Sequence, residues 1–376
     1  MPNDVENPSD IVNADELARP SSSRRDPELL REAITAWLAT KVDGDAWVTD
    51  VQIPSANGMS SETILIDADW AGRSHHLVAR IAPQPDSDPV FPHYDLDRQF
   101  RVIAHVAAAT DVPVPALYWS EPEPGFLGAP FFVMGRVEGE IPPDVMPYTF
   151  GSWVGDASDE QRALLQTETI RVLAQIHQCP VPGGLDMPHG DETPLQAHIR
   201  RLREFYEWTI KGRNGSPLID HGLTWVADNL PEESDAVLTW GDARIGNVIY
   251  TDFQPSAVLD WEMAAYGPRE LDIAWLIFLH RFFQDLAESA GMPGLPGLLR
   301  REDVAEEYAK ISGHHPQDLD FYTTYAALIH AVVMFRIQCR AIDFGQAHAP
   351  FDPDDMILHR ATLEAMLAGT YWENVK

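Results

Sequence analysis

Trp240-Gly241-Asp242-Ala243-Arg244-Ile245-Gly246-Asn247 is the stretch that decides how this chain folds, together with Val258-Leu259-Asp260-Trp261-Glu262 shortly after it. The first holds an Asp and an Asn five residues apart, preceded by the apolar run Ala236-Val237-Leu238-Thr239; the second puts an Asp at the end of an apolar strand. Phosphoryl transfer needs a carboxylate to orient or deprotonate an attacking hydroxyl, and oxygen ligands that hold Mg²⁺ against nucleotide phosphates. D-x-x-x-x-N supplies the base and one ligand from a single loop, and Asp260 supplies the other. Val248-Ile249-Tyr250 and Ala257-Val258-Leu259 read as strands separated by the turn-prone Thr251 to Ser256, so a hairpin brings Asn247 and Asp260 to one end. Each string alone has a bland explanation, since a chain with 58 acidic residues contains D-x-x-x-x-N by chance and Asp after a strand is an ordinary turn signal. Their order and separation carry the reading.

Further along, Tyr266-Gly267-Pro268-Arg269-Glu270-Leu271-Asp272-Ile273-Ala274-Trp275 completes a pattern. It resembles the aminoglycoside phosphotransferases and their relatives, which share a protein-kinase-like fold with choline kinases and carry H-G-D-x-x-x-x-N, a later Asp, G-x-P and D-[LI]-A. The resemblance implies an α+β, bilobal protein-kinase-like fold, with a small β-rich N-terminal lobe and a larger, mainly helical C-terminal lobe. It implies Asp242 as catalytic base, Asn247 and Asp260 as Mg²⁺ ligands, and Asp272 as a buried brace for the catalytic loop. Trp240 stands where the family has His, a position that supports the loop, so the change is expected to be tolerated. His189-Gly190-Asp191 matches H-G-D more literally, but Gln196 stands where the Asn should be and no apolar strand precedes it, so it reads as a loop.

Composition bounds the alternatives. A chain of 376 residues with 45% hydrophobic content can bury one large or two moderate cores. A net charge of −31 argues against nucleic acid or an anionic membrane as partner and favours a cationic substrate. Cys179 and Cys339, far apart and without metal-ligand spacing, suit a reducing cytoplasm as buried filler. The polar, acidic N-terminus does not look like a leader, and the apolar run Tyr325 to Phe335 contains His330 and is too short to span a bilayer.

Residues 1–25 are polar and aperiodic and read as disordered. Residues 26–135 read as the N-terminal nucleotide-binding lobe and 136–376 as the helical C-terminal lobe with catalytic loop and substrate site. Asp26-Pro27 is an N-cap with Pro at the first helical position, and Leu30, Ile34, Trp37 and Leu38 mark one face of the helix that follows. Short β runs cover Val48 to Ile53, Thr63 to Ile66 and Leu77 to Ile81, a helix covers Asp95 to Thr110, and Phe131 to Met134 forms a further strand. Ser158 and Gln161 form a capping box. His75-His76 reads as a turn, and His177 as a structural histidine at a family L-H position. Phe205, Tyr206, Trp208 and Trp225 read chiefly as helix core.

Neither G-x-G-x-x-G nor G-x-x-x-x-G-K-[ST] occurs, which removes the main support for a dinucleotide fold or a P-loop. The candidate phosphate loop is Ser55-Ala56-Asn57-Gly58-Met59-Ser60-Ser61, between two strands, where small residues and hydroxyls can approach phosphate oxygens. None of the four lysines lies in these strands, so Arg80 is the phosphate-gripping cation; one branch of the family, with phosphotransferase domains joined to acyl-CoA dehydrogenases, carries L-R-x-x-P here. The family's Glu partner for that cation is replaced by Gln99, with Asp95 or Asp97 as substitutes. Alignment with the family hinge places Met134 behind the adenine and the Gly135 carbonyl and Val137 amide at its edge.

These features imply a Mg²⁺-dependent kinase that uses ATP or GTP on a small hydroxyl-bearing substrate. An aminoglycoside-type phosphotransferase, with a link to antibiotic resistance, is the leading expectation, and a kinase for a hydroxy acid or other metabolite is the alternative. A catalytically silent nucleotide-binding regulatory module, suggested by Trp240 and Gln99, is the reading from another class.

Overall fold

The computed structural model describes residues 25–54, 61–84, 87–232 and 235–375. The expectation of disorder for residues 1–25 therefore falls almost wholly outside the described residues, as does the candidate phosphate loop with Ser55, Asn57, Gly58 and Ser60. Helix α1 (Pro27–Leu38) begins at Asp26, whose carboxylate accepts from the Glu28 and Leu29 amides, and it buries Leu30, Ile34, Trp37 and Leu38. That i, i+4, i+7, i+8 spacing is one helical stripe.

Strands β1 (Ala46–Gln52), β2 (Glu62–Trp70), β3 (Arg73–Ile81), β4 (Leu117–Glu121) and β5 (Phe131–Gly135) form one antiparallel sheet in the order β1-β2-β3-β5-β4. The β2–β3 hairpin is longer than its apolar runs because the ends near its turn are polar and exposed. His75 and His76 thus lie in β3 rather than in a turn: His75 stacks on Trp70 at 3.3 Å between centroids, and His76 pairs with Asp67 at 2.7 Å. Along β3, Leu77, Ala79 and Ile81 are buried on one face, so period-two alternation puts Val78 and Arg80 on the other. Helix α2 (Leu96–Ala109), capped by Asp95, packs Leu96, Gln99, Val102, Ile103 and Val106 inward, against β4 and β5.

Beyond Gly135 the chain becomes mostly helical, with α3 (Trp153–Asp156), α4 (Asp159–Gln178), α5 (Pro194–Thr209) and α6 (Pro217–Asp228). The Ser158–Gln161 capping box forms as expected at the start of α4. Four short strands follow: β6 (Ala236–Thr239), β7 (Val248–Thr251), β8 (Gln254–Val258) and β9 (Ala265–Pro268), then α7 (Glu270–Ser289), α8 (Arg301–Ser312), α9 (Leu319–Asp343), α10 (Arg360–Leu367) and α11 (Tyr371–Asn374). The β7–β8 hairpin turns on Asp252 and Phe253 alone, both at positive φ, so it is tighter than the six-residue turn suggested by composition. The apolar run around Tyr325 to Phe335 lies inside α9, which at 25 residues is long and apolar enough by composition to cross a membrane. The helix is largely buried, against α5, α6, α7 and α10, and forms the centre of the helical part.

Three histidines of this core are held neutral. Burial pushes His198 and His280 down to about 3 and His359 down to about 4, while the Leu295 carbonyl on His280 and the Ala327 carbonyl on His359 work the other way. Their folded pKa values lie below the unfolded value of about 6.5, so each takes up a proton only on unfolding once the pH drops below it. Stability is therefore expected to fall from about pH 6.5 towards pH 4, by up to about 1.4 kcal/mol per pH unit for each histidine. Urea midpoints measured across that range should drop with acid, and His280→Gln should flatten the slope.

Candidate active site

The loop after β6 is anchored by one buried carboxylate. Asp272, fully buried near the start of α7, accepts from the Trp240 amide at 2.6 Å and from the Gly241 amide at 2.8 Å. His177 Nε2 donates to the same carboxylate at 3.0 Å, and His177 Nδ1 accepts from the Tyr308 hydroxyl at 2.7 Å. The structural role expected for His177 and the brace expected of Asp272 are thus parts of one network. The β6–β9 pairing, Thr239 opposite Ala265, brings the motif's two ends together. Gly241 has φ +91°, and a Cβ there would lie 2.2 Å from the Met263 carbonyl oxygen, so a side chain is excluded.

Trp240 does what a hydrogen-bonding support must do. Its indole N–H donates to the Leu259 carbonyl at 2.8 Å and to the Asp260 carbonyl at 3.2 Å, tying the loop of Asp242 to that of Asp260. The ring is buried beside Trp261. Unlike imidazole, whose second nitrogen switches from acceptor to donor on protonation, an indole is a donor only and carries no titrating group.

Asp242 is surrounded by N–H groups. Trp275 Nε1 donates to Oδ1 at 2.7 Å, Asn247 Nδ2 to Oδ2 at 2.6 Å, and Arg244 Nε reaches both oxygens at 3.0 and 3.1 Å. Arg244 also pairs with Asp144, which precedes α3. Burial acts to lower the Arg244 pKa, but Asp242 and Asp144 outweigh it and raise the value, so the group stays a cation. Gly246 leaves room for this pairing: a Cβ there would lie 2.5 Å from the ends of the Arg244 and Asp144 side chains, which would have to shift.

Asn247 and Asp260 come to one end of the β7–β8 hairpin: Val248 pairs with Val258, and the Leu259 amide donates to the Asn247 carbonyl at 2.8 Å. Asp260 sits at φ +57°, a left-handed conformation. Burial raises its carboxyl pKa, Arg80 and Arg244 act to lower it, and Asp242 adds to the rise. Arg80 reaches across from β3, with a guanidinium nitrogen 3.6 Å from Asp260 Oδ1. The expected hydrogen bond between Gln99 and Arg80 does not form: Arg80 meets Thr63 at 3.2 Å and Asp260 instead, and Gln99 is buried on α2. Asp95 and Asp97 do not substitute, since the first caps α2 and the second pairs with Arg101 and Ser120. A charged partner from the helical part outcompetes a neutral amide.

Met134 pairs with Val78 at the end of β5, the Gly135 amide donates to the Ala116 carbonyl at 2.7 Å, and Val137 lies in the irregular segment that leaves the sheet. Arg244, Trp275 and Asp144 escaped sequence reasoning as functional residues. Arg244 stands inside D-x-x-x-x-N and Trp275 directly after D-I-A, so both had a local signal; Asp144, a hundred residues from Arg244, had none.

Trp240→Phe keeps the ring but leaves two buried carbonyls without their donor, and should cost about 1–3 kcal/mol in chemical denaturation. Trp240→His, which restores an N–H at a smaller volume, should recover part of that loss.

The model of the phosphotransferase enzyme family matches residues 52–310. The probable acyl-CoA dehydrogenase IBR3 of Arabidopsis thaliana is 25% identical over 275 residues, which is 68% of this chain and 32% of that protein, so the chain spans about a third of that relative's length. Among solved structures, a candidate aminoglycoside phosphotransferase from Ralstonia eutropha superposes with a TM-score of 0.64 at 21% identity, over 91% of this chain and 98% of that one. A thermostable mutant of aminoglycoside phosphotransferase APH(4)-Ia, solved as a ternary complex with ADP and hygromycin B, gives 0.55 at 17% identity, over 92% and 99%. Its fold is the protein-kinase-like one of those structures, and the chain belongs to the phosphotransferase enzyme family.

Proposed function

We propose that this chain is a Mg²⁺-dependent small-molecule kinase that moves the γ-phosphoryl group of ATP or GTP to a hydroxyl of its acceptor. The observation that carries this reading is the convergence of Asp242, Asn247, Asp260, Arg80 and Arg244 from three separate segments onto one place. Asp242 is the base: its carboxylate, aimed by Trp275, Asn247 and Arg244, takes up the proton of the acceptor hydroxyl. Arg244 holds positive charge beside that base, where charge develops on the transferring group.

The donor set fits a hard cation. Asp260 Oδ1 and a guanidinium nitrogen of Arg80 are both buried without a hydrogen-bond partner among the described residues. Asn247 commits its amide nitrogen to Asp242, which leaves the amide oxygen as its ligating atom. No cluster of three or more His, Cys, Asp or Glu side chains suited to a metal occurs among the described residues. One Asp and one Asn are nevertheless enough for Mg²⁺, which completes its shell with phosphate oxygens and water. When bound there, the ion neutralises phosphate charge; Arg80 adds a bidentate grip.

Residues 26–135 form the nucleotide-binding lobe in this reading, with the Gly135 carbonyl and Val137 amide at the base edge and Met134 behind it. Residues 136–376 hold the catalytic loop and the acceptor. Ser55, Asn57, Gly58 and Ser60 keep their assignment as phosphate loop on sequence grounds alone. The ADP and hygromycin B in the solved relative support nucleotide use and a hydroxyl-bearing acceptor of the aminoglycoside type. The match to IBR3 favours a hydroxy acid or other metabolite as second reading. The two buried free cysteines suit a cytoplasmic setting.

ADP release measured with ATP and GTP across aminoglycosides, choline, sugars and hydroxy acids should depend on Mg²⁺ and on one acceptor class. Asp242→Asn should reduce that turnover by about 10²–10⁴-fold with the circular dichroism spectrum retained. Asp260→Asn should raise the Mg²⁺ concentration needed for half-maximal rate. Acceptor-dependent turnover that survives Asp242→Asn would sink the base assignment, whereas nucleotide binding without turnover on any acceptor would favour a regulatory module.

A further inference from the structure

A cavity of about 250 Å³ lies between the start of α2, helix α5, helix α9 and the segment that follows Asp260. One wall, Glu262 to Ala265, is the stretch linking Asp260 to β9, and its Met263 carbonyl abuts Gly241 in the catalytic loop. The cavity therefore adjoins both the base loop and the metal loop. Phe91, Phe205, Ile329 and Val333 give it an apolar side.

Its polar side holds two guanidinium groups, Arg98 and Arg201, beside the carboxylates of Asp95, Asp186 and Glu262. Arg201, on α5, has no salt-bridge partner among the described residues; its one hydrogen bond is a long one, 3.4 Å, to the Asp186 main-chain carbonyl. A second guanidinium nitrogen is buried with no hydrogen-bond partner among the described residues. Burial pulls the Arg201 pKa down, with Tyr325 and Asp186 acting against it and Arg98 adding to the fall. Of the carboxylates that line the cavity, Asp95 caps α2 and Asp186 accepts from Arg98 at 3.0 Å; Glu262 is the third, and its charge helps to raise the Tyr94 pKa. His198, neutral and bonded to Tyr325 at 2.7 Å, offers no countercharge. Arg201 is half-buried, and a guanidinium with one nitrogen buried and without an acceptor gains when a ligand supplies an anion there.

We propose that this cavity is the acceptor subsite and that Arg201 receives an oxyanion of the acceptor, a carboxylate or a phosphate, while the apolar wall takes its carbon skeleton. The acceptor is then an anionic hydroxyl compound, not a polycation. This rests on the kinase reading above for the transfer itself, but the binding site stands on its own observations.

The test uses matched pairs on the whole chain: hydroxylated carboxylic acids against their methyl esters, glycerol phosphate against glycerol, and an aminoglycoside. Binding is followed by intrinsic tryptophan fluorescence and thermal shift, and transfer by ADP release. The expected result is that one acid or phosphate binds at least about 10-fold more tightly than its neutral partner, as a charge-assisted contact requires. Arg201→Met should abolish that preference and raise the melting temperature of the free protein, because it removes an uncompensated charge; Arg201→Lys should keep part of the preference. The carboxylate and phosphate arms identify the oxyanion. Equal binding of charged and neutral partners, or a preference untouched by Arg201→Met, would overturn the proposal. A lower melting temperature in Arg201→Met together with unchanged binding would make Arg201 structural only. Anion binding that depends on Arg201 without ADP release would keep the subsite and fail the kinase reading instead.

Discussion

The site depends on the carboxylate of Asp272. Buried at the start of α7, it has three donors converging on it: two consecutive main-chain N–H groups of the catalytic loop and His177. An anion at a helix N-terminus is also favoured by the helix dipole. Because a buried carboxylate without such partners is costly, the loop and helix α7 are obliged to keep this arrangement. The same constraint sets the backbone at Gly241, whose positive φ and close approach to Met263 leave no room for a Cβ.

From that anchor the remaining groups are placed in order. The indole of Trp240 carries the constraint to the Asp260 loop, and Trp275, one helical turn beyond Asp272, aims Asp242. Arg80, from the sheet, closes the cleft against Asp260. The two charges sit slightly beyond hydrogen-bond distance and each keeps an unsatisfied atom. In the proposed kinase reading such a pair would be separated by a cation and phosphate oxygens, since each partner would gain a better-fitting counterion.

The net −31 suggests an appetite for cations, but it is a sum over the whole chain. The cavities are decided locally, and the one beside Met263 has a guanidinium nitrogen of Arg201 without an acceptor among the described residues.

The sequence by itself determined the elements and the roster of the central loop. The stripe Leu30, Ile34, Trp37, Leu38, the caps at Asp26, Asp95 and Ser158, and the D-x-x-x-x-N to Asp260 spacing all rest on contacts between near neighbours in the chain, which leave a periodic or local trace. Tertiary structure alone decided which distant partner each polar group took. Nothing in the strings says that Arg80 takes Asp260 in place of Gln99, that Arg244 reaches Asp144, or that Arg201 is left without a carboxylate. Those pairings depend on how the helices pack on the β6–β9 strands and on where a loop a hundred residues away returns. The polar ends of β2 and β3 escaped for a related reason: they are held by hairpin hydrogen bonds rather than burial, and composition records burial best.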